Sequence, residues 1–154
     1  KAGQENQFGA WYAGMATVQV AAMLGLRERC AALYDCAVQL DGAGTHVVWD
    51  LGLAGKHAAI AAAAGGQWER AERHFDEAAE RAEAIGDRLD TADLLRWRAQ
   101  ARLWRNAAGD RAEARAFAEA AREAYAASGR SNGSGWWRFP RAAHRVAGLP
   151  RRGS

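Results

Sequence analysis

With 154 residues, 49% of them hydrophobic and 25% charged, the chain has the size and balance of one ordinary globular domain able to bury a core without staples. Alanine makes up roughly a quarter of it and the two prolines both follow residue 139, which excludes a strand-rich or proline-rich class and predicts helix. The net charge of +3 divides unevenly, because six arginines and no acid follow residue 129, so the body is mildly acidic at −3 and the tail is basic.

Apolar spacing and glycine punctuation predict six main helices, near residues 7–24, 27–41, 47–64, 67–85, 90–107 and 110–128. The fourth is the clearest. Trp68, Ala71, Phe75, Ala78, Ala82 and Ile85 recur every three or four residues, which lays one apolar stripe along a helix. Gly86 then stops it, since glycine just past a helix takes the left-handed conformation, and Gly25, Gly109 and Gly129 mark comparable breaks. Asp90, three residues before Asp93, is expected to N-cap the fifth helix.

The small-residue run from Ala58 to Gly66 is too short and too poor in large apolar side chains to span a bilayer, and no secretory leader precedes it. The expectation is a soluble, cytoplasmic chain with no membrane partner. It starts at Lys1 rather than Met, which points to a processed chain or a piece of a longer one. Cys30 and Cys36 lie six apart and so face different sides of a helix, which excludes a CxxC redox or zinc half-site and leaves two small buried thiols.

Counting from Gly66, Ala71, Phe75 and Ala78 fall at +5, +9 and +12. The same ladder runs from Gly25 through Cys30, Tyr34 and Ala37, and from Gly109 through Ala114, Ala118 and Ala121, with the aromatic one place early at Phe117. The ladder glycines are 41 and 43 residues apart, and self-similarity at such a period marks stacked supersecondary units, here pairs of helices. Alanine or cysteine at +5 and alanine at +12 let the second helix of a pair approach its neighbours, while the aromatic fills the space between pairs.

With Gly66, Trp68, Ala71, Phe75 and Ala78, the stretch GQWERAERHFDEA resembles the second helix of a tetratricopeptide repeat, and three such matches stand in tandem over roughly residues 11–128. The period exceeds the usual one of about 34, so the units look like elongated members of that class. The first helices depart more, with Gly55, Ala58, Ala59 and Ala62 where Trp, Leu, Gly and Tyr are usual. LGLRERCAALYD, GQWERAERHFDEAAERAEAIGDR and RAQARLWRNAAGDRAEARAFAEAAREA together resemble the repeat region near the C-terminus of large bacterial LuxR-type or signal-transduction ATPase and cyclase regulators. That resemblance implies a sensor or scaffold module. It brings no catalytic motif, because neither a GxxxxGK[ST] loop nor a DNA-binding helix pair is found here.

His74, Asp76 and Glu77 suggest a metal or acid/base site. Two ligands on one helix must lie four apart to converge, however, and the residues four away from His74 are Arg70 and Ala78. Glu69 with Arg73, Arg73 with Glu77 and Glu77 with Arg81 have instead the spacing of exposed ion pairs, so this trio is read as part of the wet face. His46 with Asp50 is a local hydrogen bond or half a metal site, and Ser128, Ser131 and Ser134 sit in a Gly/Ser stretch rather than a nucleophile elbow. No catalytic residue, metal ligand or cofactor is expected.

A repeat array has one foreseeable working surface, the concave face lined by the first helix of each pair. As the repeat resemblance implies, that face would carry Tyr12, Met15 and Gln19, then Lys56 and Ile60, with Arg96 and Arg102 continuing it. Such a mixture suits a peptide or partner helix, and equally suits packing between repeats. The tail after residue 129 offers Arg138, Arg141 and Arg145 beside Trp136, Trp137 and Phe139, either as an adhesive for an anionic partner or as a linker with WWRF capping the last repeat.

The expected architecture is therefore all-α, with tandem antiparallel helix pairs forming three elongated tetratricopeptide-like repeats in a right-handed superhelix over residues 1–129. A basic extension covers residues 130–154. The expected function is non-enzymatic binding of a protein or peptide partner, or of other domains of the same polypeptide, within a larger bacterial regulator, with exposed repeat ends favouring self-association. The competing classes are a small-molecule effector sensor, which needs a closed apolar pocket on the concave side, and a nucleic-acid-binding accessory module acting through the tail.

Overall fold

The computed structural model describes residues 8–42, 47–48 and 51–128. These form an all-α fold of six helices: α1 (Phe8–Met23), α2 (Arg27–Gly42), α3 (Ala54–Ala64), α4 (Trp68–Ile85), α5 (Arg88–Arg105) and α6 (Asp110–Ala127). None of these helices is long and apolar enough to cross a membrane. Each helix packs on the next, and α3 in addition touches α1 and α5, so the odd-numbered helices form a contacting row with α3 in the middle.

Two of the three ladders are buried throughout and the third in part, Phe117 and Ala118 being half-buried. Cys30, Tyr34 and Ala37 in α2, Ala71, Phe75 and Ala78 in α4, and Ala114 and Ala121 in α6 are all buried. Gly25, Gly66 and Gly109, just ahead of these helices, have φ of 70°, 85° and 87°, a region that side chains with a Cβ adopt only at a cost. The core they bound is built from Val18, Tyr34, Ile60, Phe75, Leu94 and Trp97, with the alanines of α3 filling its centre.

Five local expectations are corrected. The third helix begins at Ala54 rather than near residue 47, and a short antiparallel ladder, β1 (Val47–Val48) with β2 (Gly52–Leu53), stands ahead of it. The run Val47–Val48 is β-branched, and Gly52 sits at φ 73°, outside the helical region.

Asp87 rather than Asp90 caps α5: its side chain accepts from the amides of Leu89 and Asp90, both at 3.0 Å, while Asp90 turns into the interior. His74 does not belong to the wet face. It is buried, with Nε2 2.9 Å from the Tyr34 hydroxyl of α2. Its Nδ1 lies 3.4 Å from Glu77 Oε2 without hydrogen-bond geometry.

The charges of α4 reach across helices rather than along their own. Arg81 bonds Asp41 of α2 at 2.5 Å, Asp76 accepts from Arg98 of α5, and Glu72 accepts from Arg102 of α5. The expected pairs Glu69–Arg73, Arg73–Glu77 and Glu77–Arg81 are not among the ion pairs of the described residues. Arg102 is held on a second side by Glu113 of α6 at 2.6 Å and lies over the Phe117 ring, so one guanidinium ties three helices together. Of the cysteines, Cys30 is buried and Cys36 exposed, which corrects the expectation of two buried thiols.

Candidate functional site

Of the residues expected to line an open inner face, Met15, Lys56 and Ile60 are drawn into the interior instead. Every residue of α3 is buried, including Lys56 and His57. Met15 and Ile60 have no exposed surface, so both belong to the core rather than to a peptide-binding face. Tyr12 is exposed at 37%, and Gln19 and Arg96 are half-buried. Arg138, Arg141 and Arg145 lie outside the described residues, as do His46 and Asp50.

Lys56 shows why the inner row closes. It sits in the first turn of α3, where the helix macrodipole disfavours a cation, and burial adds a desolvation cost. Two carboxylates from α5 meet it: Nζ is 2.6 Å from Asp90 Oδ1 and 2.8 Å from Asp93 Oδ2. Asp90 also accepts from the Leu53 amide, and so caps α3 from another helix where Leu53 itself offers no capping side chain.

The fit allows no Cβ at Gly52, which would stand 2.1 Å from Asp90 Oδ1. Asp93 is shared further, accepting from Arg96 Nε at 2.7 Å and from the Tyr125 hydroxyl of α6 at 3.1 Å. Burial alone would raise the Asp93 carboxyl, but Lys56 and Arg96 outweigh it and hold it well below the usual carboxylate range. Burial and Asp93 together push the Tyr125 hydroxyl up, so it stays protonated and donating.

His57 extends the network to α1. Its Nδ1 lies 3.1 Å from the Leu53 carbonyl, which can only accept, so Nδ1 carries the proton and Nε2 accepts from the Gln19 amide at 3.0 Å. Burial, then the neighbouring Lys56, lowers its pKa to about 4, which keeps it neutral. Gln19, His57, Lys56, Asp90, Asp93, Arg96 and Tyr125 thus connect α1, α3, α5 and α6 through satisfied polar contacts. Chemically the assembly is a lock. Lys56 is held as a cation by two carboxylates and His57 has both nitrogens occupied, so neither is presented as a nucleophile or base.

Open surface of another kind lies on the far side of α1. This helix contains no charged residue, and Met15, Val18, Ala21 and Ala22 face the core. Gly9, Ala13, Val20, Met23 and the following Leu24 are exposed, with Ala16 half-exposed between them. At 100° per residue these positions share one stripe roughly 100° wide.

Val20, Met23, Leu24 and Leu26 are 54%, 57%, 68% and 46% exposed, a cluster of large apolar side chains at the α1–α2 corner. Thr17, at the edge of the stripe, turns its hydroxyl back to the Ala13 carbonyl at 2.6 Å and so satisfies it within the helix. Another open feature of the described residues is a cleft of about 680 Å³ between α4 and α5. Its walls carry Asp76, Glu80, Glu83, Arg88 and Arg98, which is not the closed apolar pocket that an effector sensor requires.

The described residues thus define an all-α protein with a polar lock inside and one uncharged helix face outside. No protein-family model, curated protein or solved structure matches the chain. Sequence reasoning missed Asp90, Asp93, His57 and Tyr125 as members of the lock. The available signal was Lys56 and His57 standing next to the wholly apolar run from Ala58 to Ala64, where any polar side chain must find a distant partner.

Proposed function

We propose that the chain is a non-enzymatic helical-repeat module that binds protein, a segment of a larger bacterial signalling or transcription regulator. The observation that carries this reading is the outward stripe of α1: a charge-free helix with an apolar face left bare on a chain that is otherwise a quarter charged. A helix apolar on all sides normally lies within a core. The buried glycine-led ladders of α2, α4 and α6, and the contacting row α1–α3–α5, support tetratricopeptide-like pairs stacked as a superhelix.

A photo-activatable cross-linking residue placed at Val20, and separately at Arg115 on α6, tests the reading in intact cells. Protein adducts from position 20, lost when Ala13 is also changed to Glu, are the expected result. Equal adducts from both positions, or none from position 20, would overturn it.

A further inference from the structure

We infer that the bare face of α1 receives the same face of a second copy of this chain, the two helices crossing antiparallel about a twofold axis near Ala16. This rests on the interaction reading above and names its partner.

Charge is the first argument. α6, the other terminal helix of the described residues, presents exposed Arg111, Glu113, Arg115, Glu119, Arg122 and Glu123, the polar outer face with which a helical stack meets water. Docking α1 on α6 would desolvate those charges with nothing on α1 to pair them. Of these two terminal faces, only α1 offers α1 an uncharged counterpart. On one margin of the contact the Thr17 hydroxyl is already satisfied within the helix, and on the other stands Tyr12, 37% exposed.

Shape is the second. The stripe is small in its first half, at Gly9, Ala13 and Ala16, and large in its second, at Val20, Met23 and Leu24. Reversing one copy against the other about Ala16 sets Gly9 against Met23, and Ala13 against the turn that carries Val20. Small positions then face large ones on either side of the axis, while at the axis Ala16 meets Ala16 and lets the two helices approach closely. A parallel arrangement would set large on large and small on small, leaving gaps. The antiparallel contact is isologous and closes on itself, giving a dimer rather than an open filament. A 16-residue helix is about 24 Å long, so the contact belongs to the small, reversible class.

The test uses the full chain in sedimentation equilibrium over a concentration series. The mean mass should climb from the monomer value of 16.6 kDa toward twice that value. Val20→Glu should hold it at the monomer value, whereas Arg115→Glu on α6 should leave the rise unchanged. Register is read by cross-linking in a Cys36→Ser background under mild oxidation. Ala16→Cys should form a disulfide with its own copy, and Gly9→Cys should cross-link efficiently only when mixed with Met23→Cys.

A chain that stays monomeric throughout, a dimer that survives Val20→Glu, or Gly9→Cys joining itself as readily as Met23→Cys would overturn the inference. If the chain is monomeric while photo-adducts from position 20 reach a different protein, the second-copy assignment falls and the interaction reading stands. If those adducts are also missing, both fall.

Discussion

Helices α1 and α3 are both built largely from alanine, glycine and aliphatic side chains, yet α3 is covered on every side while α1 keeps one face bare. Composition does not separate them. Position does: α3 contacts α1, α2, α4 and α5, whereas α1 packs chiefly on α2 and α3. The difference teaches where each helix can hold charge. α3 tolerates Lys56 because neighbours on all sides bring Asp90 and Asp93 to it, whereas an uncovered helix such as α1 has no second carboxylate to offer a buried cation.

The largest way to break this contrast is to remove the cation. Lys56→Met leaves Asp90 in the interior without its counter-charge, while Asp93 keeps Arg96, and should cost about 3–5 kcal/mol, read by chemical denaturation of the full chain. Adding Asp90→Asn should recover part of that loss.

Next in size is the pH dependence of His57. Its folded pKa of about 4 lies below the unfolded value of about 6.5, so on acidification the unfolded chain takes up the proton first. Stability should therefore fall as pH drops from about 6.5 toward 4, by about 3 kcal/mol in total, and His57→Gln should flatten that segment of the curve. Asp93 acts in a lower window. Its depressed pKa contributes stability above about pH 4, which is lost as pH falls further, so Asp93→Asn should reduce the neutral-pH stability and weaken the acid limb.

One substitution made on both helices sharpens the contrast directly. Ala62→Leu on α3 must overpack a site with no exposed surface and should cost about 1–3 kcal/mol. Ala13→Leu on the bare face of α1 should change stability by less than about 0.5 kcal/mol. Thermal denaturation at a concentration low enough to keep the chain monomeric measures both, and equal costs would mean that the two faces are equally covered.

The all-α fold and the approximate extents of α1, α2, α4, α5 and α6 were legible in the sequence because their signals are local. Periodicity is read within one helix, as from Trp68 to Ile85, and caps within one turn, as at Gly86 with φ 70°. Where two local signals competed, the nearer cap won: Asp87 satisfies the first amides of α5, which leaves Asp90 free to serve Lys56 and Leu53. The start of α3 was misread because glycine and valine around residues 47–52 carry little helical period of their own.

His74 shows a different failure. Its position falls on the edge of the stripe formed by Ala71, Phe75 and Ala78, so burial was readable, but its ionisable ring drew attention to ligands four residues away rather than to Tyr34 of α2. The candidate inner face was less legible still. Of the residues expected there, Met15, Lys56 and Ile60 are interior, because the row of odd-numbered helices closes around α3.

By itself the sequence determined the helices, their order and the small residues that let them approach, since propensity, period and capping act over three or four neighbouring residues. Only the tertiary structure decided which charge meets which and which apolar face stays bare. Lys56 with Asp90, Tyr34 with His74 and Arg81 with Asp41 are joined across 34, 40 and 40 residues of chain. Coulombic and hydrogen-bond partners are chosen by distance in space, and whether a helix is covered on every side by how many neighbours it acquires, and neither is encoded in spacing along the chain.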